Sequence, residues 1–328
     1  MIQVERILCP IDFSESSVLA YAYAESIAWH YKATLLVQHV IFSLTPYYPY
    51  HAFPDAYDDV CRTLRAEADQ QLQEFAKTHN CHGVQIECTV QDGDVTDLIL
   101  EVAGHRGVNL IVMGTHGLRG IDHLTLGSVT EKVLRKARCP VLAVCKPAHH
   151  FAAQAGGSEL AEVQRILYCT DFSEYSEQAW EHAVSLAAEY HADLTLLHVL
   201  EDISSSSDIE DETAKALQRL EKQISPWAHQ NVVTKPVVRI GKAYQQIIQL
   251  AVESQMDLVI MGVRGRHALD LAVFGSTTYR VVQSGPCPVL VVHMAKDREG
   301  SMGKAQTAEG RSLSPAVRQE GAETRSRV

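Results

Sequence analysis

Short, almost wholly apolar runs alternate along the chain with longer segments whose apolar residues recur at helical spacing. In the first part this pattern predicts a strand over 5–11 and a helix capped by Ser14, with Ala20, Ala24, Ile27 and Tyr31 on one face. A strand over 33–40 and a long polar helix over 56–80 follow, the helix ended by Gly83 in the left-handed conformation. Then come a strand over 84–90, a helix over 94–105, a strand over 108–114, a helix over 128–137 and a strand over 140–145. Apolar strands without polar alternation, separated by helices, fit a parallel sheet covered on both faces. Right-handed crossovers restrict how five such strands wind, and the expected order is 3-2-1-4-5, a doubly wound, Rossmann-like α/β fold.

The pattern occurs twice. Ile7-Leu8-Cys9-Pro10-Ile11-Asp12-Phe13-Ser14 returns as Ile166-Leu167-Tyr168-Cys169-Thr170-Asp171-Phe172-Ser173, and Leu110-Ile111-Val112-Met113-Gly114 as Leu258-Val259-Ile260-Met261-Gly262. Asp12 and Asp171 stand 159 apart, whereas Gly114 and Gly262 stand 148 apart, so the first copy holds 11 extra residues. These are assigned to an inserted surface loop or lid over 47–58. The expected organisation is two tandem domains, 1–147 and 162–295, joined by an Ala-, Gly- and His-rich linker over 148–161. From 296 to 328 the chain has no aromatic residue and is expected to be a disordered tail.

Composition narrows the function classes. At 328 residues the chain has the length of about two domains. Its formal net charge of −11 argues against broad nucleic-acid binding, which needs basic surface to displace counterions. The charge-free stretch 33–54 contains Gln38, His39, Pro46, Pro49 and Pro54, so it is a poor membrane span, and no membrane association is expected. Charges at Glu5 and Arg6 interrupt what would be a signal peptide. The eight cysteines contain no CxxC pair and are expected as buried free thiols in a reducing cytoplasm. A zinc site around His79, Cys81 and His82 lacks a second ligand pair at the usual spacing.

The chemistry concentrates in one motif. Gly114-Thr115-His116-Gly117, nine residues, then Gly127-Ser128 is matched by Gly262-Val263-Arg264-Gly265, nine residues, then Gly275-Ser276. Glycines after a strand allow positive φ and close approach of backbone to a ligand. The second Gly-Ser opens a helix, whose unpaired N–H groups and dipole favour an anion. Ser128 and Thr130, or Ser276, Thr277 and Thr278, add hydroxyls. Asp12 and Asp171 end the first strands, where order 3-2-1-4-5 puts them across a crevice from the glycine loop. There each is either a turn or capping residue, or a carboxylate that accepts from ribose hydroxyls or adenine. Val40 and Val199 on the neighbouring strand offer an apolar wall. His39 and His198 read as hydrogen-bonded core residues. His116 and Arg264 share a loop position, either on phosphate or on the surface. No P-loop lysine, dinucleotide GxGxxG, acidic metal cluster or adjacent general base is present. Binding is therefore the expected activity, with no catalytic residue assigned.

These residues resemble the universal stress protein family in its tandem, ATP-binding form. The carriers are Asp-Phe-Ser after the first strand, Gly-x2-Gly-x9-Gly-Ser, and the Cys-Pro-Val-Leu strand closing each copy. The resemblance implies a nucleotide site in each copy: Ile11, Asp12, Val40, Met113, Gly114, His116, Gly117, Gly127, Ser128, Val129 and Thr130 in the first. The second comprises Thr170, Asp171, Val199, Met261, Gly262, Arg264, Gly265, Gly275, Ser276, Thr277 and Thr278. The ligand is ATP, with ADP or AMP as alternatives and magnesium arriving with the nucleotide. The family also implies a pseudo-dimer through 140–145 and 288–292, with a further homodimer and a protein partner as additional expectations. The resulting function is a stress-response regulator acting through nucleotide-dependent conformation or partner binding. Its alternatives are a nucleotide-free interaction scaffold and a slow ATP hydrolase.

Overall fold

The computed structural model describes residues 3–42, 54–116, 126–145, 163–201, 206–226, 232–265 and 275–293. The first half runs β1 (Arg6–Pro10), α1 (Glu15–Tyr31), β2 (Thr34–Phe42), α2 (Pro54–His79), β3 (Ile86–Gly93), α3 (Val95–His105), β4 (Leu110–Gly114), α4 (Ser128–Lys136) and β5 (Val141–Val144). The second runs β6 (Arg165–Cys169), α5 (Glu174–Tyr190), β7 (Asp193–Leu200), α6 (Ser206–Ile224), β8 (Thr234–Ile240), α7 (Ala243–Glu253), β9 (Leu258–Gly262), α8 (Ser276–Ser284) and β10 (Val289–Val292). Strands and helices alternate as the apolar pattern requires, with ends shifted by a few residues.

Both halves have the order 3-2-1-4-5, and they join into one ten-stranded sheet, β3-β2-β1-β4-β5-β10-β9-β6-β7-β8. Strands are parallel within each half. At the centre β5 and β10 pair antiparallel, with Leu142 opposite Leu290. The strands can be nearly all apolar because both faces are covered. Ile7 and Cys9 pack toward α1, while Leu8 between them joins the opposite core with Val133 and Leu134 of α4. The described residues fall within one compact unit, Met1–Met294. No described helix is long and apolar enough to cross a membrane.

Two local expectations need correction. The inserted segment 47–58 is not all loop, because α2 begins at Pro54 and has 26 residues against 19 in α6. Proline suits a first helical position, where its missing N–H has no helical partner to lose. The rest of the segment lies outside the described residues, as do the linker 148–161 and the tail 296–328. Nor does Gly83 directly end α2, which stops at His79. Asn80 ties the connection instead: its Nδ2 donates to Val84 O at 2.9 Å and its Oδ1 accepts from Val84 N at 2.8 Å. Gly83 supplies φ +66° inside that tied turn.

Candidate functional site

The strand order reverses at β1, whose parallel neighbours β2 and β4 lie on opposite sides, and this opens a crevice at the carboxyl ends of β1 and β4, and likewise of β6 and β9. Ile11 and Thr170 continue β1 and β6, their N–H groups donating to Gln38 O at 2.7 Å and Leu197 O at 2.9 Å. Both are buried. Their carbonyls accept from the Nδ1–H of His39 at 2.7 Å and of His198 at 2.8 Å. The two histidines are thus hydrogen-bonded anchors of the strand end, and the bond fixes their tautomer.

Asp12 and Asp171 follow directly. Each turns Oδ1 back on the chain, accepting from Ser14 N at 3.0 Å and Oγ at 2.5 Å, and from Ser173 N at 3.1 Å and Oγ at 2.6 Å. Ser14 and Ser173 in turn cap α1 and α5. Between aspartate and serine, Phe13 and Phe172 sit at φ 61° and 59°. Left-handed backbone at a bulky residue costs roughly 1–3 kcal/mol. Each ring packs on the anchoring histidine, Phe13 on His39 at 4.9 Å and Phe172 on His198 at 4.5 Å. The strained turn is repeated in both halves, and in the second it carries Asp171 Oδ2 to the glycine loop.

On the far wall, Met113 and Met261 are buried in the sheet core. A Cβ on Gly114 would lie 2.8 Å from Ser16 C and O, and one on Gly262 would lie 2.8 Å from Tyr175 C and O. These glycines let the strand end abut α1 or α5. None of the motif glycines among the described residues has positive φ, so the left-handed role expected for them is corrected to close packing. Gly265 meets the crevice itself: its Cβ would stand 2.6 Å from Asp171 Oδ2. The chain therefore brings Asp171 and the glycine loop, 94 residues apart, into one place. The matching Gly117 lies outside the described residues.

Gly127 N donates to Thr115 O at 2.8 Å and Gly275 N to Val263 O at 3.2 Å, closing each loop before its helix. Neither α4 nor α8 has a side-chain cap. Among the described residues no side chain caps the first-turn N–H groups at Ser128, Val129, Ser276 and Thr277, which face the crevice edge as candidate donors. Ser128 and Ser276 are exposed, Val129 and Thr277 half-buried. Thr130 and Thr278 behave differently: both are buried and donate their hydroxyls to Gly114 O at 2.8 Å and Gly262 O at 3.0 Å. They clamp the helix to the strand. Val40 and Val199 lie near the ends of β2 and β7, half-buried.

The walls differ between halves at the loop position after the strand. His116 has Nδ1 2.9 Å from Thr115 Oγ1 and its N–H on Ser16 Oγ at 3.4 Å. Arg264 reaches Tyr175 OH at 3.3 Å with its guanidinium beside that ring. Arg219 adds a second cation near the site, 3.9 Å above the Phe172 ring. Cys9 and Cys169, ending or nearly ending the strands beneath, have their thiols pushed up by burial and offer no thiolate. No group of metal-ligating side chains is assembled among the described residues.

Sequence reasoning missed the strained phenylalanines, the Thr130 and Thr278 clamps and Arg219. The Asp-Phe-Ser repeat was the available signal for the first. The others depend on which way a side chain turns.

The model of the universal stress protein family matches residues 3–144 and again 162–293. A universal stress protein of Mycolicibacterium smegmatis is 26% identical over 87% of this chain and 96% of its own length. One from Methanocaldococcus jannaschii is 32% identical over 44% of this chain and 83% of its own. Among solved structures, a universal stress protein from Archaeoglobus fulgidus superposes with TM-score 0.62 at 22% identity, covering 90% of this chain and 98% of that one. At that identity the likeness is one of fold.

Proposed function

The chain belongs to the universal stress protein family, and from that premise we propose that each half binds an adenine nucleotide, ATP foremost, between its strand-one aspartate and its glycine loop. The observation that carries this reading is the approach of Gly265 to Asp171 Oδ2, which leaves no room for a side chain, in front of the uncapped start of α8. The aspartate supplies an acceptor suited to ribose hydroxyls. The helix N–H groups supply donors suited to phosphate, and a magnesium ion would arrive with the nucleotide. Thr130 and Thr278 act as clamps holding the phosphate-facing helix, and Ser128, Ser276 and Thr277 are the hydroxyls left to the ligand.

Occupancy then biases the conformation or partner choice of a cytoplasmic stress-response regulator, to the extent that the ligand binds two states unequally. The working boundaries of the two nucleotide-binding domains are 1–147 and 162–295. Mass spectrometry of the small molecules released on denaturing the purified chain tests the ligand class. Adenine nucleotide is expected, and a different occupant, stoichiometric with the chain, would overturn the assignment.

A further inference from the structure

On the face of the sheet covered by α1 and α5, a cavity of about 330 Å³ lies over the seam between the halves. It sits toward the amino ends of the parallel strands, the edge opposite the nucleotide crevices. Its walls come in repeat-related pairs: Ile27 with Leu186, Leu110 with Leu258, and Leu142 with Leu290. Leu142 and Leu290 are also the directly opposed residues of the β5–β10 pairing, so they form the floor on the pseudo-twofold axis. The pseudo-symmetry breaks at the rim, where Gln3, Asn109 and Arg138 all come from the first half.

We propose that this cavity binds a small amphiphile with an apolar chain and a single anionic head, the chain lying over the Leu142–Leu290 floor and the head at Arg138. The volume falls at the low end of small-ligand sites, roughly 300–1,000 Å³, and at about 30 Å³ per water-sized group it has room for about ten heavy atoms. Among the described residues the lining contains no carboxylate, and Arg138 is its one permanent charge. Arg138 is exposed and makes no ion pair among the described residues. His182, the other ionisable cation in the wall, is kept neutral because burial lowers its pKa. Asn109 strengthens the preference for an anion. Its Oδ1 accepts from Glu5 N and Arg6 N, both at 2.9 Å, which fixes the amide orientation and leaves Nδ2 as a donor. Tyr31 does not compete for the head, since its hydroxyl donates to Glu189 at 2.7 Å. A cationic or neutral amphiphile would leave Arg138 unmatched at the mouth.

The proposal is independent of the nucleotide reading. It is tested by calorimetric titration of the full chain with octanoate, octylammonium and 1-octanol. Octanoate should bind once per chain, at least tenfold more tightly than either of the others. Arg138→Glu, at an exposed position that leaves the fold intact, should weaken octanoate at least tenfold and favour octylammonium. Leu186→Trp should fill the cavity and abolish binding of all three while the ATP titration stays unchanged. Absence of saturable octanoate binding to the unmodified chain overturns the proposal. Binding unaffected by both substitutions, or octanol binding as tightly as octanoate, overturns it too.

Discussion

Single residues set the crevice walls through close packing more than through unusual backbone. Gly114 shows this most simply, because any Cβ there would press on the main chain of Ser16. Gly114→Ala should destabilise the chain by about 1–3 kcal/mol, the usual cost of overpacking. A denaturant midpoint equal to that of the unmodified chain would contradict the packing role. Gly265→Val should act differently, pushing a branched side chain onto Asp171 Oδ2. Nucleotide bound per chain should fall by one site, and full retention would show that this loop does not face the ligand. The sequence made Asp12, Asp171 and the motif glycines legible through their repetition at constant spacing. It hid Phe13 and Phe172, because the left-handed conformation they adopt is normally signalled by glycine or asparagine.

At the scale of elements, the clamp between helix and strand is the device that holds the crevice edge. Thr278 Oγ1 donates to Gly262 O, the carbonyl that ends β9, and so fixes the uncapped start of α8 beside the loop. Thr278→Val removes the donor and leaves a buried carbonyl unsatisfied, a loss of about 1–3 kcal/mol. Thr278→Ser should recover most of it in thermal unfolding, and equal behaviour of the two variants would argue against the hydrogen bond. Strands and helices were legible because burial on both faces writes itself as uninterrupted apolar residues, as in Leu35, Leu36 and Val37. Ends were less so. The junction after α2 is decided by the side chains of Asn80 and Glu25, the latter accepting from His82 N at 2.8 Å, and such long-range ties leave no periodic trace.

Across the whole molecule, the two halves are joined at β5 and β10 by more than strand pairing. Cys145 Sγ donates to Cys287 O at 3.3 Å in one direction, and His293 Nε2–H donates to Leu134 O at 2.6 Å in the other. Burial lowers the His293 pKa below its ordinary 6.5, so the folded seam holds it neutral while the unfolded chain takes a proton as pH falls. Stability from this group is complete above about pH 6.5 and declines below it, because there the unfolded state binds more protons. His182 contributes with the same sign. The urea midpoint should therefore drop between pH 7.5 and 5.5, with a shallower drop in His293→Gln, and an identical slope in that variant would remove His293 as the cause. The two halves also carry unlike side chains at the loop position, His116 against Arg264 with Arg219 nearby, so their affinities should differ. The most direct measurement is a calorimetric titration of the full chain with ATP. Two molecules bound per chain, falling to none when Asp12→Ala and Asp171→Ala are combined, is the predicted result. No binding of ATP, ADP or AMP by the unmodified chain would contradict it.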